Sequence, residues 1–165
     1  MSSVPSFTFR HSDALARWLA ARGYLRITLE PTSLGHFYTR GALAGQEVTI
    51  LIDTGAASTV ADLNWLHENG VSTVATGRTG GGAGDALMPV HRVIGARLSI
   101  AGHELSSEPL LALDLSNVRA TLAQRGVNAP QVVLGVDVFI SRGAIIDYAT
   151  NSLFLLNPAM MPTDS

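Results

Sequence analysis

The stretch Val48-Thr49-Ile50-Leu51-Ile52-Asp53-Thr54-Gly55-Ala56-Ala57-Ser58 runs an apolar strand straight into an acid and a glycine turn. Val48 to Ile52 is rich in β-branched residues and reads as a strand buried on at least one face, and Gly55 among small neighbours reads as a tight turn. Asp53 therefore stands where a core strand leaves the interior. Folding alone does not ask for a carboxylate there. Two readings are open at this point: a turn aspartate that caps backbone N–H groups, and a partly desolvated acid held in place for chemistry.

Upstream, residues 37–43 and 47–52 read as a hairpin, joined through 44–46, that feeds Asp53. Before it, Ser12 and Asp13 ahead of Ala14, Leu15, Trp18 and Leu19, with Gly23 beyond, predict a capped amphipathic helix. Leu25 to Leu29 alternates as a strand stopped by Pro31. Downstream, 62–68 predicts a short helix closed by Asn69-Gly70, and 71–93 predicts a hairpin tipped by Gly80, Gly81, Gly82, Ala83 and Gly84. Then come a hairpin over 97–106, helical spacing over 117–124 ended by Gly126, and the apolar run Val132-Val133-Leu134-Gly135. A short helix over 136–141 and a last hairpin, 144–148 with 153–156, close the chain. Short strands and frequent turns make this mostly β, a barrel or sandwich with a few short helices.

Composition narrows the chemistry. A chain of 165 residues with 47% hydrophobic content buries one good core. There is no cysteine, which removes disulfides, thiolate catalysis and cysteine metal sites. All eleven basic residues are arginine, so Schiff-base lysine and P-loop lysine chemistry are excluded too. The net charge is −2 and the arginines are scattered from Arg10 to Arg142, a pattern that argues against nucleic acid as a partner. The histidines show no metal-ligand spacing, no Gly-x-Ser-x-Gly elbow exists, and no metal or cofactor is expected. No segment approaches the ~18 consecutive apolar residues of a membrane span. Residues 1–10 lack the layout of a signal peptide, so the sequence as it stands reads as cytoplasmic, or as periplasmic or membrane-tethered if a leader has been trimmed.

In order, strand-Asp53-Thr54-Gly55-Ala56, a glycine-tipped hairpin and an apolar run ending in Leu134-Gly135 resemble the aspartic proteases, specifically the retroviral-type (retropepsin-like) enzymes. The resemblance covers roughly residues 34–157, and 133–148 also looks like the end of a pepsin lobe. It implies a retropepsin-like closed β-barrel, half of an acid-protease pair of lobes, with a ψ-loop, a flap hairpin and a few short helices. It divides the chain into an N-terminal extension (1–30, helix plus strand), the protease domain (31–158) and a tail (159–165).

By the same resemblance Asp53 is catalytic, Thr54, Gly55 and Ala56 form the active-site turn, and Gly80, Gly81, Gly82, Ala83 and Gly84 form a flap over a peptide substrate. Leu134 and Gly135 support the ψ-loop. The chain carries one Asp-Thr-Gly, whereas the chemistry uses two carboxylates that share a proton. An aspartic endopeptidase of this length therefore requires a homodimer with one Asp53 from each copy. Thr54 then hydrogen-bonds across the two-fold axis; an ordinary strand-end threonine is the plainer alternative. Ala56 has no hydroxyl to offer a carboxylate, which implies an activity optimum in mildly acidic solution. Two departures stand out: retroviral enzymes carry an acid soon after the turn and an arginine after the later glycine, where this chain has Ala57-Ser58 and Val136-Asp137. The reading from another class is a non-catalytic retropepsin-fold module that binds peptides or proteins. Residues 1–30 lie outside the resemblance, which makes them a removable or regulatory extension over the dimer contact.

Overall fold

The computed structural model describes residues 12–81, 86–105 and 108–160. Gly82, Ala83 and Gly84 of the expected flap tip, and Ser106 of the expected 97–106 hairpin, lie outside the described residues. Helix α1 (Ser12–Ala20) leads into β1 (Tyr24–Thr28) and the two-residue β2 (Glu30–Pro31). The predicted hairpin is β3 (Phe37–Leu43) with β4 (Gln46–Ile52), in register from Phe37 opposite Ile52 to Leu43 opposite Gln46. Beyond the Asp53 turn come β5 (Val60–Asp62) and α2 (Leu63–Glu68), whose first turn is capped by Asp62 accepting from the Asn64 N–H at 3.3 Å. A long hairpin follows, β6 (Thr73–Gly80) and β7 (Met88–Val93), then a small one, β8 (Leu98–Ile100) and β9 (His103–Glu104). The chain finishes with β10 (Leu111–Leu113), α3 (Ser116–Gln124), β11 (Val132–Leu134), α4 (Val136–Ser141) and the hairpin β12 (Ile145–Asp147)–β13 (Ser152–Leu156).

One sheet runs β6-β7-β10-β5-β11-β4-β3-β8-β9, with β2 added on β3. Its two ends, β6 and β9, do not pair with each other among the described residues. The decisive detail is β11, which lies between β4 and β5, parallel to the first and antiparallel to the second. The two strands that flank the Asp53 turn are thus split by a strand from late in the chain, which is the ψ arrangement. Sequence reading leaves β5 and β10 unassigned. Each is three residues long, and they pair with each other in parallel from distant positions.

The apolar run into Asp53 is explained by burial on both faces. Val48, Ile50 and Ile52 join the main core with Leu43, Leu66, Leu134, Leu153 and Leu155. Leu51 points the other way into a second cluster with Tyr38, Val60, Val133 and Leu122 of α3. Burying each such aliphatic side chain contributes about 1.5–3 kcal/mol, enough for β4 to fix the origin of the turn.

A second sheet, β1-β13-β12, closes the molecule. β1 pairs with β13 along its whole length, from Tyr24 opposite Leu156 to Thr28 opposite Ser152, and Ile27 and Leu29 enter the main core. The strand of the leading segment is therefore woven into the domain. Among the described residues no helix is long and apolar enough to cross a membrane.

Candidate active site

Asp53 leaves the sheet at the end of β4, and its loop is sewn to β11 by three hydrogen bonds. The Asp53 N–H donates to the Leu134 carbonyl at 3.1 Å, the Val136 N–H donates to the Ala56 carbonyl at 2.8 Å, and the Gly135 N–H donates to Thr59 Oγ1 at 3.0 Å. A Cβ at Gly135 would sit 2.7 Å from the Ala56 carbonyl oxygen and 2.7 Å from the Ser58 carbonyl carbon, so the two limbs meet too closely for any side chain. Buried Thr59 also donates its hydroxyl proton to Asp137 Oδ1 at 2.7 Å, and its N–H reaches both Asp137 oxygens at 3.0 Å. Asp137, one of the two residues standing where the resemblance leads one to expect an arginine, thus ties the limbs together within one chain.

The Asp53 carboxylate is half-buried, and its Oδ1 accepts from the Gly55 N–H at 2.8 Å. Gly55 achieves this without a left-handed backbone; what its missing side chain permits is proximity, since a Cβ would lie 3.2 Å from Oδ1. Ala56 packs against the second cluster. Thr54 is exposed at the apex of the turn, and its hydroxyl has no hydrogen-bond partner among the described residues.

A cleft of about 600 Å³ opens over this turn. Its floor holds Asp53, Gly55 and Ala56; the β6–β7 hairpin supplies one wall with Gly80 and Gly81, and β10 with the start of α3 supplies the other. A larger hollow of about 1080 Å³ around Asn69, Arg92 and Arg97 shares no residue with it. Much of the cleft's lining is aliphatic, including Val60, Val90, Leu111, Leu113, Val118 and Val133.

The α3 wall is held by polar groups that sequence reading did not single out. Asp62, 1% exposed, forms an ion pair with Arg119 and accepts from the Leu115 N–H at 3.4 Å. Asp114 lines the cleft and accepts from the Ser116 hydroxyl, from the Ser116 N–H at 2.9 Å and from Asn64 Nδ2 at 3.0 Å. The Ser116 hydroxyl, then the Ser116 N–H, holds the Asp114 carboxyl below its ordinary range. An aspartate two residues ahead of a serine at a helix start is a turn signature that sequence alone could have yielded. Within the second cluster, burial raises the Tyr38 phenol above its usual pKa while its hydroxyl donates to the Asn128 carbonyl at 2.7 Å.

Asp53, Gly55, Ala56, Gly80 and Gly81 thus share one cleft, Leu134 and Gly135 hold the Asp53 loop through their hydrogen bonds, and Thr54 is exposed and not part of the cleft's lining. Asp147 accepts from the Ala149 N–H and the Thr150 hydroxyl in its own turn. Among the described residues no group of three or more His, Asp or Glu side chains is placed to hold a metal ion.

Residues 39–138 match the family model for aspartyl proteases. No curated protein matches the chain. Among solved structures, a retropepsin-like aspartic protease from Rickettsia conorii is 17% identical, with a TM-score of 0.50 over 81% of this chain and 90% of that one. The retroviral protease-like domain of Ddi1 from Leishmania major is 15% identical, with a TM-score of 0.47 over 72% of this chain and 86% of that one. At such identity a likeness of structure speaks to the fold alone.

Proposed function

The chain belongs to the aspartyl protease family and has a retropepsin-like fold, and from that premise we propose that it is an endopeptidase whose active site is completed by a second copy of itself. The observation that carries this reading is the placing of Asp53. Its carboxylate is fixed by Gly55 on the floor of a peptide-sized cleft, on a loop braced by β11. Asp114, the other acid of that cleft, already accepts from Ser116 and Asn64, so it is not a free partner for Asp53. Thr54 stands exposed beside Asp53 with its hydroxyl unengaged among the described residues, suited to meet its own copy across a two-fold axis.

In the dimer the two Asp53 carboxyls hold one proton between them, because like charges about 3 Å apart do not both ionise. The ionised carboxylate takes a proton from a water, and the water oxygen attacks the scissile carbonyl carbon. The protonated carboxyl donates to the developing oxyanion, and collapse of the tetrahedral intermediate expels the amine with a proton from the dyad. The β6–β7 hairpin covers the peptide, excludes water and offers backbone hydrogen bonds through Gly80 and Gly81. With alanine at 56, the pH–rate profile is expected to peak in mildly acidic solution; a peak near about pH 2, as in the pepsins, would contradict that.

The test compares cleavage of a peptide library by the wild type and by Asp53→Ala, each with and without pepstatin. Cleavage that pepstatin blocks and Asp53→Ala abolishes is the expected result. Cleavage unchanged in Asp53→Ala removes the catalytic assignment, and peptide binding without any cleavage turns the reading to a binding module.

A further inference from the structure

β6 does not run straight along β7. Ala75 lies opposite His91 and Thr79 opposite Pro89, so Thr76, Gly77 and Arg78 together face the single residue Val90. The irregularity is built into the hairpin. Thr76 Oγ1 donates to the Val90 carbonyl at 2.8 Å and accepts from the Arg78 N–H at 3.2 Å. Gly77 between them has φ +74°, a left-handed conformation that side chains resist. Bulges beside a functional cleft re-aim the side chain they carry. Here that side chain belongs to Arg78, and it lines the same cleft as Asp53.

Arg78 is exposed and forms no ion pair among the described residues. It is also the only basic side chain among the described residues that line the cleft. Around it the walls are apolar, with Met88, Val90, Leu111 and Val118, and the facing acid Asp114 is occupied by Asn64 and Ser116. An exposed guanidinium on the lining of a largely apolar trough, with no ion pair among the described residues, matches the planar fork of a carboxylate.

We infer that Arg78 is a specificity-determining residue that binds an acidic side chain of the substrate, so that the preferred peptides carry Glu or Asp near the apolar residues filling the cleft. The inference rests on the peptidase reading for its substrate, but binding tests it separately from cleavage.

The probes are two fluorescent peptide pools built around an apolar Leu-Phe pair, one with Glu or Asp at the flanking positions and one with Gln or Asn in their place. Binding is measured on full-length Asp53→Ala and cleavage on the wild type. Asp53→Ala is expected to bind the acidic pool about ten- to a hundredfold more tightly, with the margin shrinking as salt rises. Adding Arg78→Met should erase the margin, and Arg78→Glu should transfer the preference to a third pool of the same design flanked by Lys. Equal binding of the two pools, or a margin that survives Arg78→Met, overturns the inference. An Arg78-dependent margin in a protein whose wild type cleaves neither pool upholds this inference and sinks the peptidase reading instead.

Discussion

Thr59 accepts a hydrogen bond from the Gly135 N–H at 3.0 Å and passes its own hydroxyl proton to Asp137 at 2.7 Å. One buried side chain thereby locks the strand after the Asp53 turn to the strand that splits the sheet and to the helix that follows. The acid above inherits its position from this joint, because its own N–H hangs on Leu134, the residue before Gly135.

Gly135→Ala should therefore be severe. Its Cβ would collide with backbone atoms of Ala56 and Ser58, which have no flexible end to swing aside. A loss of about 2–4 kcal/mol in urea unfolding is expected, with peptidase activity falling further than stability. Wild-type stability in this variant would mean that the limbs are not in the close contact described.

Arg142 is 4% exposed, and its guanidinium donates to the carbonyls of Leu105 at 3.1 Å, Leu156 at 3.0 Å and Glu104. Burial lowers its pKa from the usual value, which marks the charge as desolvated. Arg142→Met relieves that desolvation but takes the donor from three carbonyls, the buried one of Leu105 and the partly buried ones of Leu156 and Glu104, and the second effect should win by about 1–3 kcal/mol. An unchanged melting temperature would show that the carbonyls find other donors.

Asp114 gives a pH signature. Its folded pKa is lowered, so its contribution to stability is complete above its ordinary value of 3.8 and is lost as pH falls through the lower folded value. Asp114→Asn should be less stable than the wild type at pH 7, and the gap should close in acid below 3.8. A gap that persists unchanged in strong acid would show that the carboxylate charge is not what Ser116 stabilises.

Removing residues 1–30 should unfold the domain or strip it of much of its stability. The deletion takes away β1, bares the edge of β13 and removes Ile27 and Leu29 from the core, each worth about 1.5–3 kcal/mol. Thermal unfolding of the truncated chain checks this. A truncated chain that melts with the wild type would restore the idea of a detachable extension.

Much of the domain was legible because its signals are local. The β3–β4 hairpin, the capped α2, α4 and the glycine-tipped hairpin all follow from periodicity and turn residues, and the Asp53 turn from an acid placed where a core strand ends. What escaped depends on partners far along the chain. β5 and β10 are too short to announce themselves, and Asp62 gains its meaning only when folding sets Arg119 beside it. Thr59, an unremarked residue after the motif, becomes a joint only through Gly135 and Asp137. Arg78 was likewise silent, because its aim is set by a bulge that only the pairing of β6 with β7 defines.

The proposed two-copy active site is tested most directly by mixing the wild type with inert Asp53→Ala, at constant total protein and after subunit exchange, and measuring peptide cleavage. If each active unit needs Asp53 from both copies, an equal mixture should retain about one quarter of the wild-type rate. A rate of about one half, in simple proportion to the wild type added, would mean that one chain works alone and would contradict the shared site.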